Sequence, residues 1–114
     1  MDVRETLALD KPEELRQWLR ENHWTKMEIW LAFYKKSSGR QTLTIAQAVA
    51  EALCFGWIQS HLKPLDPERF AVRFLPRREE SYWSPHNLNR VLKLIVQGRM
   101  TEFGLAVLPA DFKE

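Results

Sequence analysis

The sequence has little of what exported or membrane-anchored proteins use. Its 114 residues include a single cysteine, Cys54, so no disulfide can form within the chain. No apolar run reaches the length of a membrane span, and the first residues lack the apolar segment of a secretory signal. Because nothing in the sequence requires an oxidising compartment, we expect a cytoplasmic protein with no membrane span and no export signal.

A strong net charge is also missing. The chain carries a formal charge of +2, which is too small to indicate a nucleic-acid partner, since such proteins usually have a marked basic excess. The basic residues are nevertheless concentrated in one segment. From Lys63 to Arg78 there are five basic and two acidic residues, a local charge of +3, so this segment is the most informative part of the chain.

Patterns typical of metal sites and common enzymes are absent from the sequence. His23, His61 and His86 have no metal-ligand spacing with one another or with Cys54. The sequence contains no glycine-rich phosphate loop and no GxSxG nucleophile motif. Cys54 falls in the last turn of a predicted helix, where the negative end of the helix dipole disfavours a thiolate. We therefore expect a buried thiol, no metal or cofactor, and no identifiable catalytic residue.

Composition and periodicity predict an α+β fold. With 45% apolar and 28% charged residues, the chain resembles an ordinary globular protein, and its length suits one domain over residues 1–114. Residues 27–34 are apolar on both faces and predict a central strand. Residues 57–63 and 69–75 predict two more strands, with 64–68 as a five-residue hairpin loop. We expect a small three-stranded sheet with about four helices.

Capping residues and apolar spacing place the helices. Serine, threonine and aspartate begin helices because their side chains accept hydrogen bonds from free backbone N–H groups, and glycine ends them in the left-handed conformation. We expect helices over about 11–21, 44–56 and 85–97, and a short one after 101. The residues that begin or end them are Asp10 with Glu13, Thr44 with Gln47, Gly56, Ser84 with Pro85, Gly98 and Thr101.

The predicted hairpin has two different faces. Phe70, Val72 and Phe74 alternate along its second strand and predict the buried face. Strict alternation places Trp57 and Lys63 on the opposite face, together with basic side chains. Guanidinium groups beside aromatic rings suit carboxylates, phosphates or stacked rings. Including the segment that follows, the candidate ligand-binding residues are Trp57, Gln59, His61, Arg69, Arg73, Arg77, Arg78 and Trp83.

The same residues also have a structural interpretation. Arginines laid over tryptophan rings stabilise folds by cation–π contacts of about 0.5–2 kcal/mol each, with no ligand required. Arg73 bears most directly on this choice, because it lies in the middle of a strand and points away from Phe74. We expect it to contact Trp57, an acidic side chain or a bound anion.

Two further patterns have simple interpretations. Glu79 and Glu80 could form an acid–base pair, but adjacent surface carboxylates more often balance neighbouring cations, here Arg77 and Arg78. The third and fourth helices, joined at Gly98, resemble a helix-turn-helix in outline. Without a stronger basic excess we interpret them as a helical hairpin rather than a DNA-binding unit.

Five short motifs occur in order along the chain: ALCFGWI at 52–58, RFLPRR at 73–78, YWS at 82–84, Asn89 with Arg90, and GRM at 98–100. Through them the chain resembles the bacteriocin-protection family, also called YdeI/OmpD-associated, over about 15–106. The resemblance implies a bacterial context of stress resistance and antimicrobial-peptide tolerance, and it supplies no catalytic residues. Where that family commonly has an acidic residue and glycine, this chain has Gln59 and Ser60, so no carboxylate role is implied there.

Taken together, these features predict a binding function. We expect a stress-tolerance domain that binds a small anion or a protein partner through its arginine- and tryptophan-rich face. One alternative is a small enzyme that uses Arg73 and His61 on an anionic substrate, and another is a module that only binds a protein partner. An enzyme would need a concave pocket and a titratable group with a shifted pKa, whereas a binding module needs only an exposed patch.

Overall fold

A mixed sheet with helices packed on one face organises the chain. The computed structural model describes residues 6–40, 42–78 and 82–109. Within them the four strands are β1 (Leu7–Ala8), β2 (Ile29–Tyr34), β3 (Trp57–Asp66) and β4 (Arg69–Pro76), in the spatial order β1-β2-β4-β3. β1 is parallel to β2, and the other neighbouring pairs are antiparallel. The α+β fold is confirmed, and β2 is central as predicted.

The prediction of three strands was one short. The additional strand, β1, pairs Leu7 and Ala8 with Leu31 and Ala32 of β2. Two residues are too few to show an alternating pattern, so periodicity alone could not detect this strand.

The described residues form four α-helices: α1 (Pro12–Asn22), α2 (Ile45–Cys54), α3 (Pro85–Val96) and α4 (Glu102–Ala106). A single-turn 3₁₀ helix, Lys36–Ser38, follows β2. None of the helices in the described part of the chain is both long enough and apolar enough to cross a membrane.

Most predicted helix ends are confirmed by their hydrogen bonds. The Thr44 hydroxyl accepts from Gln47 N at 3.1 Å, and the Gln47 side chain accepts from Thr44 N at 3.0 Å. The hydroxyls of Ser84 and Thr101 cap α3 and α4 by accepting from Asn87 N at 3.1 Å and Gly104 N at 3.3 Å. Gly56 follows α2 with φ of 77°, the left-handed conformation that favours glycine.

The predicted pair of Asp10 and Glu13 at the first helix is wrong. Lys11 precedes the helix, and the carboxylate of Glu14 accepts from the backbone N–H groups of Asp10 and Lys11 at 2.8 and 3.0 Å. The acidic residue that caps the helix is therefore one position later than expected.

The hairpin loop is shorter than predicted. β3 continues to Asp66, so only Pro67 and Glu68 separate it from β4. One carboxylate oxygen of Asp66 accepts from the backbone N–H groups of Glu68 and Arg69 at 2.9 and 2.8 Å, which closes this tight turn. Pro64 is tolerated inside β3 because β3 is an edge strand. On the open side of an edge strand there is no neighbouring strand, so a missing N–H group costs no hydrogen bond there.

An irregularity in β3 changes which side chains share a face. Gln59 pairs with Phe74 and Leu62 with Val72, so three steps on β3 match two on β4. This extra residue is a β-bulge, and it reverses the alternation of residues 62–64 relative to Trp57 and Gln59, before a second register shift between Pro64 and Asp66. The prediction that Trp57 lies on the same face as Lys63 is therefore wrong: Trp57 is on the buried side, whereas Lys63 pairs with Ala71 on the other side.

The core lies between the helices and one face of the sheet. Leu31, Val72 and Phe74 of the two central strands are at most 1% exposed, and Phe74 and Val72 confirm the predicted buried face. The helix residues that meet them are Leu15 and Leu19 of α1, Val49 and Leu53 of α2, and Val91 and Leu94 of α3. α2 lies at the centre of the helical layer, in contact with the three other helices and β3.

Candidate functional site

A cavity of about 400 Å³ opens where α2 ends, β3 begins and α3 begins. The turn at Gly56 brings these ends together, because it sends the chain from α2 directly into β3. The polar residues that line the cavity are Gln59, Ser60, Arg77, Tyr82, Ser84, Asn87 and Arg90, and its apolar wall is formed by Val49, Leu53, Trp57 and Ile58.

Arg77 is the most unusual residue of this cavity. It follows β4, and its backbone N–H donates to the Gly56 carbonyl at 2.8 Å, which ties it to the turn after α2. The residue is only 8% exposed. Its guanidinium carbon lies 3.7 Å from the centroid of the Trp83 ring, and its Nη1 donates to the Tyr82 carbonyl at 3.0 Å. The side chain is therefore held in one orientation.

Trp83 is itself anchored. Its indole Nε1 donates to the carbonyl of Val107 at 3.1 Å, just after α4. The ring thus joins the segment before α3 to the end of α4. Because the ring is fixed in this way, it provides a rigid surface for the Arg77 guanidinium.

The positive charge of Arg77 lacks a counter-charge within the described residues. Its Nε is buried and has no hydrogen-bond partner there, and none of the described carboxylates forms an ion pair with it. Burial lowers the pKa of the Arg77 guanidinium, because removing the group from water disfavours the charged form. Glu79 and Glu80, the predicted surface pair, lie outside the described residues.

The start of α3 adds further polar groups to the same cavity. Ser84 caps the helix, Asn87 follows in the first turn, and Arg90 lies one turn later. Arg90 Nη1 donates to Asn87 Oδ1 at 3.4 Å. The amino-terminal end of a helix carries partial positive charge, so the helix and Arg90 reinforce the field of Arg77.

The described lining of the cavity carries positive charge. Two guanidinium groups line it, and none of its described lining residues is aspartate, glutamate, histidine or cysteine. The described residues also contain no cluster of three such side chains that could hold a metal ion.

Four of the predicted candidate residues belong to this site. Trp57 and Gln59 line the cavity, although Trp57 does so from the core, where it is 2% exposed. Arg77 lines it as well, and Trp83 supports Arg77 from behind. Trp57 and Gln59 were predicted on the basic face of the hairpin but lie on the helix side, whereas Arg77 and Trp83 lie in the segment that follows the hairpin, as predicted.

The other four predicted residues lie elsewhere. Arg69 pairs with Asp66 at 2.8 Å beside the hairpin turn, and Arg73 pairs with Glu28. His61 is exposed and hydrogen-bonds the hydroxyl of Ser60 at 2.9 Å. Arg78 is exposed and does not line the cavity. The predicted single face of the hairpin does not form, because Trp57 and Gln59 lie on the helix side of the sheet, whereas Arg69 and Arg73 lie on the opposite side.

The structure shows what Arg73 contacts. Of the three predicted contacts, it makes the one with an acidic side chain, since its Nε donates to the Glu28 carboxylate just before β2. This ion pair lies on the sheet face opposite the helices. Arg73 and His61 do not line this cavity, and the enzyme alternative that used both residues stays a prediction.

Sequence reasoning missed Ser60, Ser84, Asn87 and Arg90 as lining residues. Ser84 was identified as a helix cap, and Arg90 as part of a short motif with Asn89. A signal was present, because a capped helix that begins with serine and carries an arginine two turns later is a suitable anion site. It became meaningful only when packing placed that helix end beside Arg77.

Cys54 and its neighbours form a separate, structural cluster. The thiol is buried as predicted, and burial raises its pKa. Nearby, the buried carboxylate of Glu51 pairs with Arg16 and Arg99. Arg16 also donates to the Arg99 carbonyl at 2.7 Å, so the cluster joins α1, α2 and the α3–α4 connection.

Comparison with known proteins identifies one family. A family model described as a domain of unknown function, DUF8412, matches residues 7–107. No curated protein and no solved structure matches the chain. The resemblance to the bacteriocin-protection family is not tested by this match and stays a prediction.

Proposed function

The chain belongs to the DUF8412 domain family, and we propose that it is a binding domain for a small anion that carries carboxylate or phosphate oxygens. The ligand would occupy the cavity beside Arg77. The observation that carries this proposal is the buried guanidinium of Arg77, which has an unpartnered Nε among the described residues and a second guanidinium, Arg90, on the same cavity.

Electrostatics supports an anion as a partner of Arg77. A buried charge costs folding free energy unless an opposite charge and hydrogen bonds compensate it. The cation–π contact with Trp83 compensates only part of that cost, at about 0.5–2 kcal/mol. A carboxylate or phosphate at the cavity would supply both the charge and the acceptor oxygens, and guanidinium groups bind such oxygens in pairs.

Binding titrations of matched variants test this proposal. The probes are inorganic phosphate and acetate, and affinity is measured by amide-detected NMR. Arg77→Met keeps a long apolar side chain over Trp83 and removes the charge, so we expect affinity to fall by at least about tenfold, as for a charged contact. Arg90→Met should weaken binding by a smaller factor. Arg20→Met, which removes an exposed charge outside the cavity, is the control.

Stability separates this proposal from a purely structural role of Arg77. If the role of Arg77 is to bind an anion, Arg77→Met should unfold at the same temperature as the parent or at a higher one, because the substitution removes a buried charge. If Arg77 serves the fold through Trp83, the variant should unfold earlier and phosphate should bind neither protein. Equal affinities of Arg77→Met and Arg20→Met would also contradict the proposal.

A protein partner is the second candidate, and a different surface favours it. Leu92, Ile95 and Val96 of α3 are 48%, 42% and 87% exposed, and their spacing places them on one side of the helix. Contiguous exposed apolar side chains are typical of interaction surfaces. Sedimentation of the parent and of Val96→Lys at rising concentration tests self-association, which the substitution should reduce.

The biological setting that we propose follows from the family resemblance alone. A bacterial protein of stress and antimicrobial-peptide tolerance, located in the cytoplasm, could use an anion site to sense or sequester a metabolite. Growth of a deletion strain with a cationic antimicrobial peptide would test this setting, and unchanged survival would argue against it.

A further inference from the structure

A second cavity, of about 570 Å³, lies at the start of α2, whereas the Arg77 cavity lies towards the end of that helix. The second cavity is bounded by the end of β2, the 3₁₀ helix and the first turn of α2. It shares no lining residue with the Arg77 cavity. Its volume falls within the usual range for small-molecule sites, about 300–1,000 Å³.

The floor of this second cavity is apolar. Phe33 of β2 and Phe70 of β4 stack with their ring centroids 5.7 Å apart, and Leu43 and Ile45 lie beside them. Phe33 and Leu43 belong to the core, whereas Phe70 and Ile45 are only partly buried. Part of the hydrophobic core is therefore open to the cavity, where an apolar ligand group could cover it.

The rim of the second cavity is basic. Lys35, Lys36 and Arg40 line it, and its described lining residues include no aspartate or glutamate. Arg40 is fixed over the Tyr34 ring, with its guanidinium carbon 4.9 Å from the ring centroid and its Nη1 3.2 Å from the phenol oxygen. Thr44, the cap of α2, is also part of the lining, so the positive end of that helix adds to the field.

We propose that this cavity binds an amphiphilic anion, namely a free carboxylate with a medium-length alkyl or aromatic body. The body would cover Phe70 and Ile45, and the carboxylate would lie at the rim with Lys36 and Arg40. The ligand must account for both the apolar floor and the basic rim. A purely apolar ligand would not contact the three cations, and a simple anion would leave the apolar floor uncovered. This site is independent of the proposed function at Arg77.

Amide-detected NMR titrations with octanoate, acetate and hexanol test both halves of the proposal. Octanoate should shift the signals of residues around Phe33 and Ile45, and it should bind at least about tenfold more tightly than either acetate or hexanol, since only octanoate uses floor and rim together. Equal affinity for octanoate and acetate would overturn the proposal, as would shifts confined to other parts of the chain.

Charge-matched variants separate the rim from general electrostatic attraction. The triple variant Lys35→Gln, Lys36→Gln, Arg40→Gln should lose at least about tenfold in octanoate affinity. The control variant Arg20→Gln, Lys26→Gln, Lys93→Gln removes three exposed charges outside the cavity and should bind octanoate as the parent does. Equal losses in the two triple variants would overturn the proposal.

Two further measurements test which cavity binds octanoate and whether the ligand is free in solution or part of a membrane. The Arg77→Met variant should retain octanoate binding at the second cavity, because the two cavities share no residue. Vesicles of anionic phospholipid present negatively charged head groups on alkyl chains at a membrane surface. Binding to those vesicles without binding to free octanoate would overturn the proposal of a free ligand.

Discussion

The guanidinium of Arg77 stacks on Trp83 at 3.7 Å, and Trp83 is held by its hydrogen bond to the carbonyl after α4. This relationship links the helical layer to the candidate anion site. The contact fixes the orientation of a buried cation and leaves its Nε without a partner among the described residues. The position of α4 should therefore influence ligand affinity even though α4 does not line the cavity.

Trp83→Phe tests that link. The substitution keeps an aromatic ring under Arg77 but removes the N–H donor to the Val107 carbonyl, so we expect a loss of about 1 kcal/mol in the free energy of unfolding. Phosphate affinity should fall several-fold, because the guanidinium is less firmly placed. Met27→Leu, at a residue that is 74% exposed, is the control and should change neither quantity measurably. Denaturant unfolding and phosphate titration give the two values.

Gly104 sets how closely α4 approaches α2. A Cβ atom at this position would lie 2.4 Å from the Cys54 carbonyl oxygen and 2.7 Å from that of Leu53. Gly104→Ala should therefore push α4 away and cost about 1–3 kcal/mol in the free energy of unfolding. It should also weaken phosphate binding, since Val107 and Trp83 would move.

Gly98→Ala is the control for that substitution. A Cβ atom there would meet nothing within 4 Å, but the φ of 70° imposes backbone strain of about 1–2 kcal/mol. The control should lower stability and leave phosphate affinity unchanged. If both glycine variants bind phosphate as the parent does, α4 has no influence on the site.

The ion pair of Arg73 with Glu28 is expected to be structural and modest. Both side chains are partly exposed, at 29% and 21%, so their coupling free energy in a double-mutant cycle should be at most about 1 kcal/mol. Arg73→Ala should leave phosphate affinity unchanged. A large loss of phosphate binding in Arg73→Ala would show that Arg73 contributes to the ligand site and would contradict a purely structural role.

His23 should make the fold sensitive to acid. Its ring lies against Phe103, Phe55 and Trp24, and burial lowers its pKa because the charged form is disfavoured. The unfolded chain then binds a proton more readily than the folded one, so the free energy of unfolding should decrease as pH falls below about 6.5.

The variant His23→Gln lacks this titration. Its free energy of unfolding should therefore decrease less than that of the parent between about pH 7.5 and about pH 5.5. Chemical denaturation at several pH values measures both curves. Parallel curves for the two proteins would show that His23 contributes nothing to the pH dependence.

Local chemistry explains which parts of the fold were predictable. The helix ends were predictable because a capping residue contacts only residues close to it in sequence. This holds for Thr44 with Gln47, for Ser84 and for Gly56. The bulge in β3 is different, because it exists only in relation to the partner strand β4. Strict alternation along β3 therefore assigned Trp57 to the wrong face, and Pro64 was taken as part of a loop.

The candidate site was only partly predictable for the same reason. Arg77 and Trp83 were identifiable as a cation near aromatic residues in one short segment. Asn87 and Arg90 were not, because polar residues on a helix usually lie in solvent. Only the packing of α3 against α2, which depends on contacts distant in sequence, brings the start of α3 to Arg77.

The most direct test of the central claim is the NMR signal of the Arg77 Nε–H group during titration with inorganic phosphate. The signal can be assigned by its absence from Arg77→Met. If phosphate binds to Arg77, this resonance should shift progressively until it saturates. Its shift should also be the largest among the arginine side chains. A resonance that stays unchanged up to high phosphate concentration would contradict the account and leave Arg77 as a structural residue stacked on Trp83.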